Sequence, residues 1–329
     1  MKSSWFVIGL VWVLSSGMSA HAADFKVGLV LDKGGKDDKS FNSAGYKGAM
    51  EAKDKIPGVF VKYVESTDDN AFEPLLRAFA QKDFDLIIAI GFSQSEAVKK
   101  VAEKFPARHF AIVDGNVQAP NVRALLFQEH EGSYLVGALA ALTSKTGKIG
   151  FIGGMDIPLI RRFEMGYKAG AQKINPKIQI TSNYVGLTSD AWNNPAKAKE
   201  LAVTQYGSGE DVIFAAAGAS NAGLFDAAEE TKKFAIGVDS NQNWVKPGLV
   251  LTSMLKRVDT AVFTVIKEAK EGKFTAGVER FGLSNGGVDY AIDQYNEKLI
   301  TPANKAKVES LKAEIIAGKI KVPDYYQKK

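Results

Sequence analysis

Residues 85–114 read DLIIAIGFSQSEAVKKVAEKFPARHFAIVD, and this stretch decides the class of fold. An apolar run at Asp85–Gly91 is typical of a buried strand, helical spacing follows at Ser93–Lys104, and a second strand is indicated at His109–Val113. A helix between two buried strands is typical of parallel neighbours in one sheet, whereas a tight hairpin connects antiparallel strands. The segment therefore predicts an α/β protein.

The same alternation of strands and helices occurs twice along the chain. Residues 25–113 contain one set of strand-and-helix units, and residues 148–239 contain a second set in similar order. We therefore predict two lobes, each a parallel sheet flanked by helices.

Further strand-like runs after the second set indicate that the chain passes between the lobes three times, near residues 143, 254 and 288. Such crossings predict a three-strand hinge. The predicted lobes are residues 23–143 with 255–287 and residues 144–254 with 288–329.

The charge and the cysteine count limit the possible partners. Forty-two basic residues are spread among 37 acidic ones, for a formal net charge of +5. Because no stripe of Lys and Arg with interleaved aromatic residues occurs, we expect no nucleic-acid partner. The chain contains no cysteine, so it has neither disulfide bonds nor the acylated cysteine of a lipoprotein.

The first 22 residues have the pattern of a secretory signal peptide. Lys2 precedes an apolar core at Trp5–Leu14, and Ala20-His21-Ala22 is a small-x-small cleavage signal. The apolar run is too short to span a bilayer. We expect cleavage near Ala22 and a protein that is free in the periplasm.

Polar and aromatic residues follow several predicted strands, at the edge of a parallel sheet where ligands bind. The candidates are Asp32, Phe41, Asn42, Asp114, Phe214 and Asp239, with Lys256 at the end of the predicted hinge strand. Carboxylates accept hydrogen bonds from vicinal hydroxyls, two rings can enclose a flat heterocycle, and an amide both donates and accepts. Phe214 is equally consistent with core packing, and Asp114 and Asp239 with ordinary turns.

No arrangement typical of catalysis is evident. Of the three histidines, His21 falls in the predicted signal peptide, and His109 and His130 stand alone. Metal-ligand spacing, a nucleophile elbow and a P-loop are all lacking. We therefore expect a binding protein without a cofactor rather than an enzyme.

One set of motifs resembles a known family. KVGLVLD at residues 26–32 is followed by Gly-Gly at 34–35 and DKSFN at 38–42, and KRVD occurs at 256–259. These features resemble the basic membrane protein family of ABC transporter substrate-binding proteins, which is similar to purine nucleoside receptors. The resemblance covers nearly the whole chain after the signal peptide.

The resemblance implies a type I periplasmic-binding-protein fold, a nucleoside ligand of the adenosine, guanosine or inosine type, an inner-membrane ABC permease as partner, and a monomer. It also implies site roles by position. Phe41 and Phe214 would flank the base with Asn42 at its edge, Asp32 and Asp114 would add polar contacts, Asp239 and Lys256 would contact the ribose, and Gly218 and Met155 would line the site.

Three alternatives stay open on the sequence. The first is a sensor that hands its ligand-bound state to a receptor, and the second is a binding protein for another small polar or sugar-like molecule. The third alternative, a periplasmic nucleoside hydrolase, needs calcium-binding aspartates in the first loop, where Asp32, Asp37 and Asp38 occur.

Overall fold

The computed structural model describes residues 24–66 and 68–327. The predicted signal peptide therefore lies outside the described residues. No helix in the described ranges is long and apolar enough to cross a membrane.

Strands and helices alternate over most of the chain. The strands are β1 (Phe25–Leu31), β2 (Val59–Glu65), β3 (Leu86–Ile90), β4 (His109–Val113), β5 (Val122–Phe127), β6 (Lys148–Met155), β7 (Gln179–Gly186), β8 (Val212–Ala216), β9 (Phe234–Asp239), β10 (Val250–Lys256), β11 (Gly277–Phe281) and β12 (Val288–Tyr290). The α-helices are α1 (Phe41–Lys55), α2 (Phe72–Gln81), α3 (Ser95–Lys104), α4 (Glu129–Thr143), α5 (Pro158–Ile174), α6 (Pro195–Gly207), α7 (Asn221–Thr231), α8 (Val258–Lys270) and α9 (Pro302–Ile316).

The described strands form two sheets of six. Their spatial orders are β11-β5-β4-β3-β1-β2 and β12-β10-β9-β8-β6-β7, so the second sheet repeats the first position by position. All neighbours are parallel except β12, which runs antiparallel to β10. The predicted α/β fold of two lobes, each a mainly parallel sheet flanked by helices, is confirmed.

Strand β3 illustrates why these sequences form central strands. All five of its residues, LIIAI, are buried, and alternate side chains pack into different clusters on the two faces of the sheet. A strand covered on both faces needs apolar residues at every position rather than at every second one.

Helices α4 and α5 pack closely because glycines lie between them. A Cβ atom on Gly137 would lie 2.1 Å from the carbonyl oxygen of Tyr167, and one on Gly170 would lie 1.9 Å from that of Tyr134. Neither position has room for a side chain. The small residues of α4 therefore serve this helix contact.

The chain passes between the two sheets after β5, after β10 and after β11. The first lobe accordingly comprises residues 24–127 and 257–281, apart from Thr67, and the second comprises residues 128–256 and 282–327. The predicted boundary at residue 143 differs from this division, because α4 packs on α5, α9, β10 and β12 of the second lobe. Small residues predict a close contact, but they do not identify the partner.

Candidate functional site

A cavity lies between the lobes, at the carboxyl ends of their parallel strands. It encloses about 580 Å³, counting the part that opens to solvent. Ligands of open α/β sheets bind at this edge. The predicted site residues that line the cavity are Asp32, Phe41, Asn42, Asp114, Gly218, Asp239 and Lys256.

The two lobes place equivalent residues at equivalent strand ends. Gly91 follows β3 directly and Gly218 lies two residues after the end of β8, with φ angles of 119° and 60°. Asp114 follows β4 and Asp239 ends β9, with φ angles of 65° and 64°. Left-handed backbone is unfavourable for most residues with a side chain, and such positions cluster at functional sites. This geometry turns one carboxylate from each lobe toward the shared cavity.

Lys256 is the buried cation of the site. Its Nζ lies 2.6 Å from Oδ2 of Asp114 and 3.0 Å from Oε1 of Glu129. The ring centroids of Phe41, Phe127 and Phe163 all lie within 5.5 Å of the same nitrogen. Burial disfavours the ammonium form, but the neighbouring carboxylates outweigh burial and raise the pKa of Lys256.

The aspartates from the two lobes hold protons more tightly than exposed aspartates do. Burial raises the pKa of Asp239 to about 7, against the opposing effects of Lys256 and of the Ser40 hydroxyl, which donates to Oδ2 at 2.6 Å. Burial likewise raises the pKa of Asp114 to about 6, although Lys256 lowers it. Oδ1 of Asp114 is buried without a hydrogen-bond partner among the described residues. It is therefore free to accept a hydrogen bond from a ligand hydroxyl.

Asn42 lines the cavity, but its amide already serves the loop before α1. Nδ2 donates to the carbonyl oxygen of Lys33 at 3.1 Å and to Oδ2 of Asp38 at 3.0 Å. Oδ1 accepts from the backbone nitrogen of Asp32 at 2.8 Å. Both amide hydrogens are thus in use, and the predicted contact with a base edge has no free donor here. The structure makes Asn42 a positioning residue for the loop.

Asp38 is a loop residue whose importance the sequence did not reveal. Its position in the sequence favours a solvated charge at a helix start, but it is buried and lines the cavity. Its carboxylate accepts from the backbone nitrogens of Ser40, Asn42 and Ser43, and so holds the turn into α1. A residue that can cap a helix, just before an apolar helical run, is the signal that could have identified it.

Phe214 lies outside the cavity. Its side chain is fully buried in the second lobe, with ring centroids 5.6 Å from Phe151 and 5.3 Å from Tyr167. Alternate residues of β8 face opposite sides of the sheet, and this position faces the helix layer that contains α5. The predicted stacking role is therefore corrected to the alternative, core packing. Met155 also does not line the cavity and packs beside the apolar cluster on the other face.

Other aromatic residues line the cavity in addition to Phe41. Phe92 from the first lobe and Trp192 from the second both line the cavity, with ring centroids 6.4 Å apart. Phe163 of α5 lines it as well. The strand-end rule considers only strand ends, so it gives no signal for a side chain that a helix contributes.

Two sets of contacts join the lobes on either side of the cavity. The first set links the loop before α1 to β9 and the loop that follows it. Ser40 Oγ donates to Asp239 at 2.6 Å and to Val238 O at 3.3 Å, Ser240 Oγ donates to Ser40 O at 2.9 Å, and Gln242 Nε2 donates to Lys39 O at 3.0 Å. The second set consists of Lys33 Nζ with Asp190 at 2.9 Å and Ser189 Oγ with Asp69 at 2.8 Å. The lobes are therefore closed over the cavity.

Comparisons with known proteins agree with this architecture. The family model Bmp, described as ABC transporter substrate-binding protein PnrA-like, matches residues 25–325. The ABC transporter nucleoside-binding protein BmpA of Lactococcus lactis subsp. cremoris is 35% identical, over 94% of this chain and 92% of the relative. An uncharacterized lipoprotein of Pyrococcus furiosus is 32% identical, over 86% of this chain and 74% of the relative.

The crystal structure of an ABC transporter solute-binding protein from Aeropyrum pernix is similar over 91% of this chain and 94% of that one. The TM-score is 0.83 and the sequence identity is 31%. The resemblance inferred from the motifs is thus confirmed, and the chain belongs to the Bmp family of ABC transporter substrate-binding proteins.

Proposed function

We propose that this protein captures a purine nucleoside between its lobes and delivers it to an ABC permease. The observation that carries the proposal is the cavity itself, where Asp114 and Asp239 come from opposite lobes and several aromatic rings line the remaining wall. Carboxylates accept hydrogen bonds from vicinal hydroxyls, and aromatic rings bind a flat heterocycle. The Lactococcus relative is named as a nucleoside-binding protein, which supports a nucleoside ligand here.

Closure around the ligand is part of the proposal. A ligand that contacts residues from both lobes binds the closed form more tightly than the open form, and this difference in affinity drives closure. The closed surface is then the form that the permease recognises.

The test is isothermal titration calorimetry with inosine, guanosine, adenosine and uridine, on protein stripped of ligand by unfolding and refolding. We expect a dissociation constant on the order of 1 μM or tighter for at least one purine nucleoside. Uridine should bind more weakly because its single ring offers less face for aromatic contact. Absence of binding by every purine nucleoside would overturn the proposal.

The same samples test the hydrolase alternative. In the first loop the Asp32 and Asp38 carboxylates accept hydrogen bonds from the loop's own backbone nitrogens. The described residues also include no cluster of three or more His, Asp or Glu side chains placed to hold a metal ion. We therefore expect chromatography of the incubated nucleosides to recover no free base.

We further propose that the protein works as a monomer in the periplasm. The signal-peptide pattern of residues 1–22 supports export, and the lack of cysteine supports release rather than lipid anchoring, in contrast to the relative named as a lipoprotein. Sequencing the N-terminus of protein from a periplasmic extract should find a mature chain that starts near Ala23. Retention of the first 22 residues would contradict this.

A further inference from the structure

Five largely buried charges run from the binding cavity to the C-terminal segment of the chain. In spatial order they are Asp114, Lys256, Glu129, Arg162 and Asp324, and they are called here the charge row. Of these five, only Asp114 and Lys256 line the cavity. The other three lie behind them, at the hinge.

The outer end of the charge row is held in one orientation. Asp324 accepts two hydrogen bonds from Arg162, at 2.7 Å from Nε and 3.1 Å from Nη2. The ring of Tyr326 covers the same guanidinium, with Cζ 4.7 Å from the ring centroid. A bidentate carboxylate and a stacked ring together define both the position and the plane of an arginine.

Arg162 also contacts the segment where the chain first passes between the lobes. Nη1 donates to the carbonyl oxygen of Phe127 at 2.6 Å and also to the carboxylate of Glu129. Nη2 lies 3.0 Å from Nδ1 of His130, which must accept because a guanidinium only donates. His130 is therefore neutral with its hydrogen on Nε2, and burial together with Arg162 lowers its pKa to about 4.

Glu129 joins the first crossing to the second. One of its oxygens accepts from Arg162, while Oε1 lies 3.0 Å from Nζ of Lys256, the last residue of β10. Both side chains are almost fully buried, so neither charge is compensated by water. The position of the Lys256 ammonium therefore depends on where Glu129 is held.

We propose that Asp324 is a positioning residue of the binding site, which orients Arg162 so that Glu129 stays against Lys256 at the cavity wall. Without the Asp324 carboxylate, the buried Arg162 would interact more strongly with Glu129, its remaining carboxylate partner. Glu129 would then form a weaker ion pair with Lys256. The C-terminal segment would thus set ligand affinity without touching the ligand. Only the choice of a nucleoside as probe rests on the proposed function.

The test compares Asp324→Asn with wild type by calorimetry with inosine. We expect the dissociation constant to rise about tenfold, since removing one partner of a buried charged network is strongly unfavourable. Asp324→Glu, which restores a carboxylate, should recover most of the affinity. Thermal unfolding of each ligand-free variant measures folding separately from binding.

Asp156→Asn is the matched control. Asp156 accepts two hydrogen bonds of 2.6 Å from Arg161, the residue next to Arg162 on α5, but it does not line the cavity. The dissociation constant of Asp156→Asn for inosine should stay within about twofold of the wild-type value, because an exposed ion pair such as that of Asp156 with Arg161 contributes little. Equal effects of the two Asp→Asn changes, or an unchanged affinity in Asp324→Asn, would overturn the proposal.

A second measurement needs no ligand. Lys256 is 2% exposed and fully ion-paired, so acetic anhydride should acetylate it slowly in wild type compared with surface lysines. In Asp324→Asn a less firmly held and less protonated amine should react about fivefold faster, with no change in Asp156→Asn. If inosine fails to bind wild type, the nucleoside proposal alone is refuted and this labelling decides the role of Asp324. Unchanged labelling would reject that role.

Discussion

Phe41 and Phe214 have different surroundings, so the same truncation should have different consequences at the two positions. Phe41 lines the cavity, whereas Phe214 is fully buried among other rings. Phe41→Ala should weaken nucleoside binding about 5- to 150-fold, by loss of a stacking face worth about 1–3 kcal/mol, with little change in the stability of the empty protein. Phe214→Ala should lower the free energy of unfolding by about 3–5 kcal/mol. Calorimetry and urea denaturation measure the two quantities, and an equal stability loss in both variants would place Phe41 in the core.

Asp239 should make the stability of the empty protein depend on pH. Its pKa is about 7 in the folded protein and 3.8 in the unfolded chain. Between these pH values the carboxyl group is therefore protonated more often in the folded state than in the unfolded state. The stabilisation is complete below about pH 4 and is lost as pH rises toward and through 7, with a total on the order of 2–4 kcal/mol. Denaturation from pH 4.5 to 8 should show that the stability of wild type falls relative to that of Asp239→Asn as pH rises. A constant difference would contradict the raised pKa.

At the scale of secondary-structure elements, the contact between α4 and α5 should tolerate no side chain at Gly137. Because a Cβ atom there would lie 2.1 Å from the Tyr167 carbonyl oxygen, Gly137→Ala should destabilise the protein by about 1–3 kcal/mol. Gly207 is the control, since it ends α6 and a methyl group added there would have no neighbour within 4 Å. Gly207→Ala should be neutral or stabilising by up to about 1 kcal/mol. Thermal unfolding distinguishes the two, and similar shifts would mean that the helices can separate.

The elements were largely predictable because their patterns are local. The run at β3 is apolar throughout, β4 is apolar after His109, and the spacing of α3 is helical, so their bounds followed within a few residues. Packing partners were not local. The sequence of α4 predicted a close contact but not that α5 supplies it, and β8 is apolar at every position, so its sequence could not show that Phe214 faces the core rather than the cavity.

For the site, the strand-end rule found Asp32, Asp114 and Asp239 because topology alone brings those positions to one edge. It failed for Phe163, which reaches the cavity from the side of a helix. It also could not show that the amide of Asn42 is fully used within its own loop, since hydrogen-bond partners depend on the fold of that loop.

For the whole molecule, the contacts that join the lobes beside the cavity include hydrogen bonds and an ion pair. The ion pair of Lys33 with Asp190 is partly open to water, and such pairs contribute little. The closed form should therefore need a ligand that bridges both lobes to become dominant. Small-angle X-ray scattering should show that the radius of gyration decreases when a nucleoside that binds in calorimetry is added to the empty protein. Scattering of the empty protein that already matches the closed structure would contradict this.

The two lobes differ in the residue that ends one pair of equivalent strands. Lys256 ends β10 and Phe127 ends β5, and these strands occupy equivalent places in their sheets. At these equivalent positions the second lobe has a cation and the first lobe has an aromatic ring, with Nζ of Lys256 5.1 Å from the ring centroid of Phe127. A cavity with two identical walls would accept an elongated ligand in either of two orientations. Because the two walls of this cavity differ, we expect the ligand to bind in a single orientation.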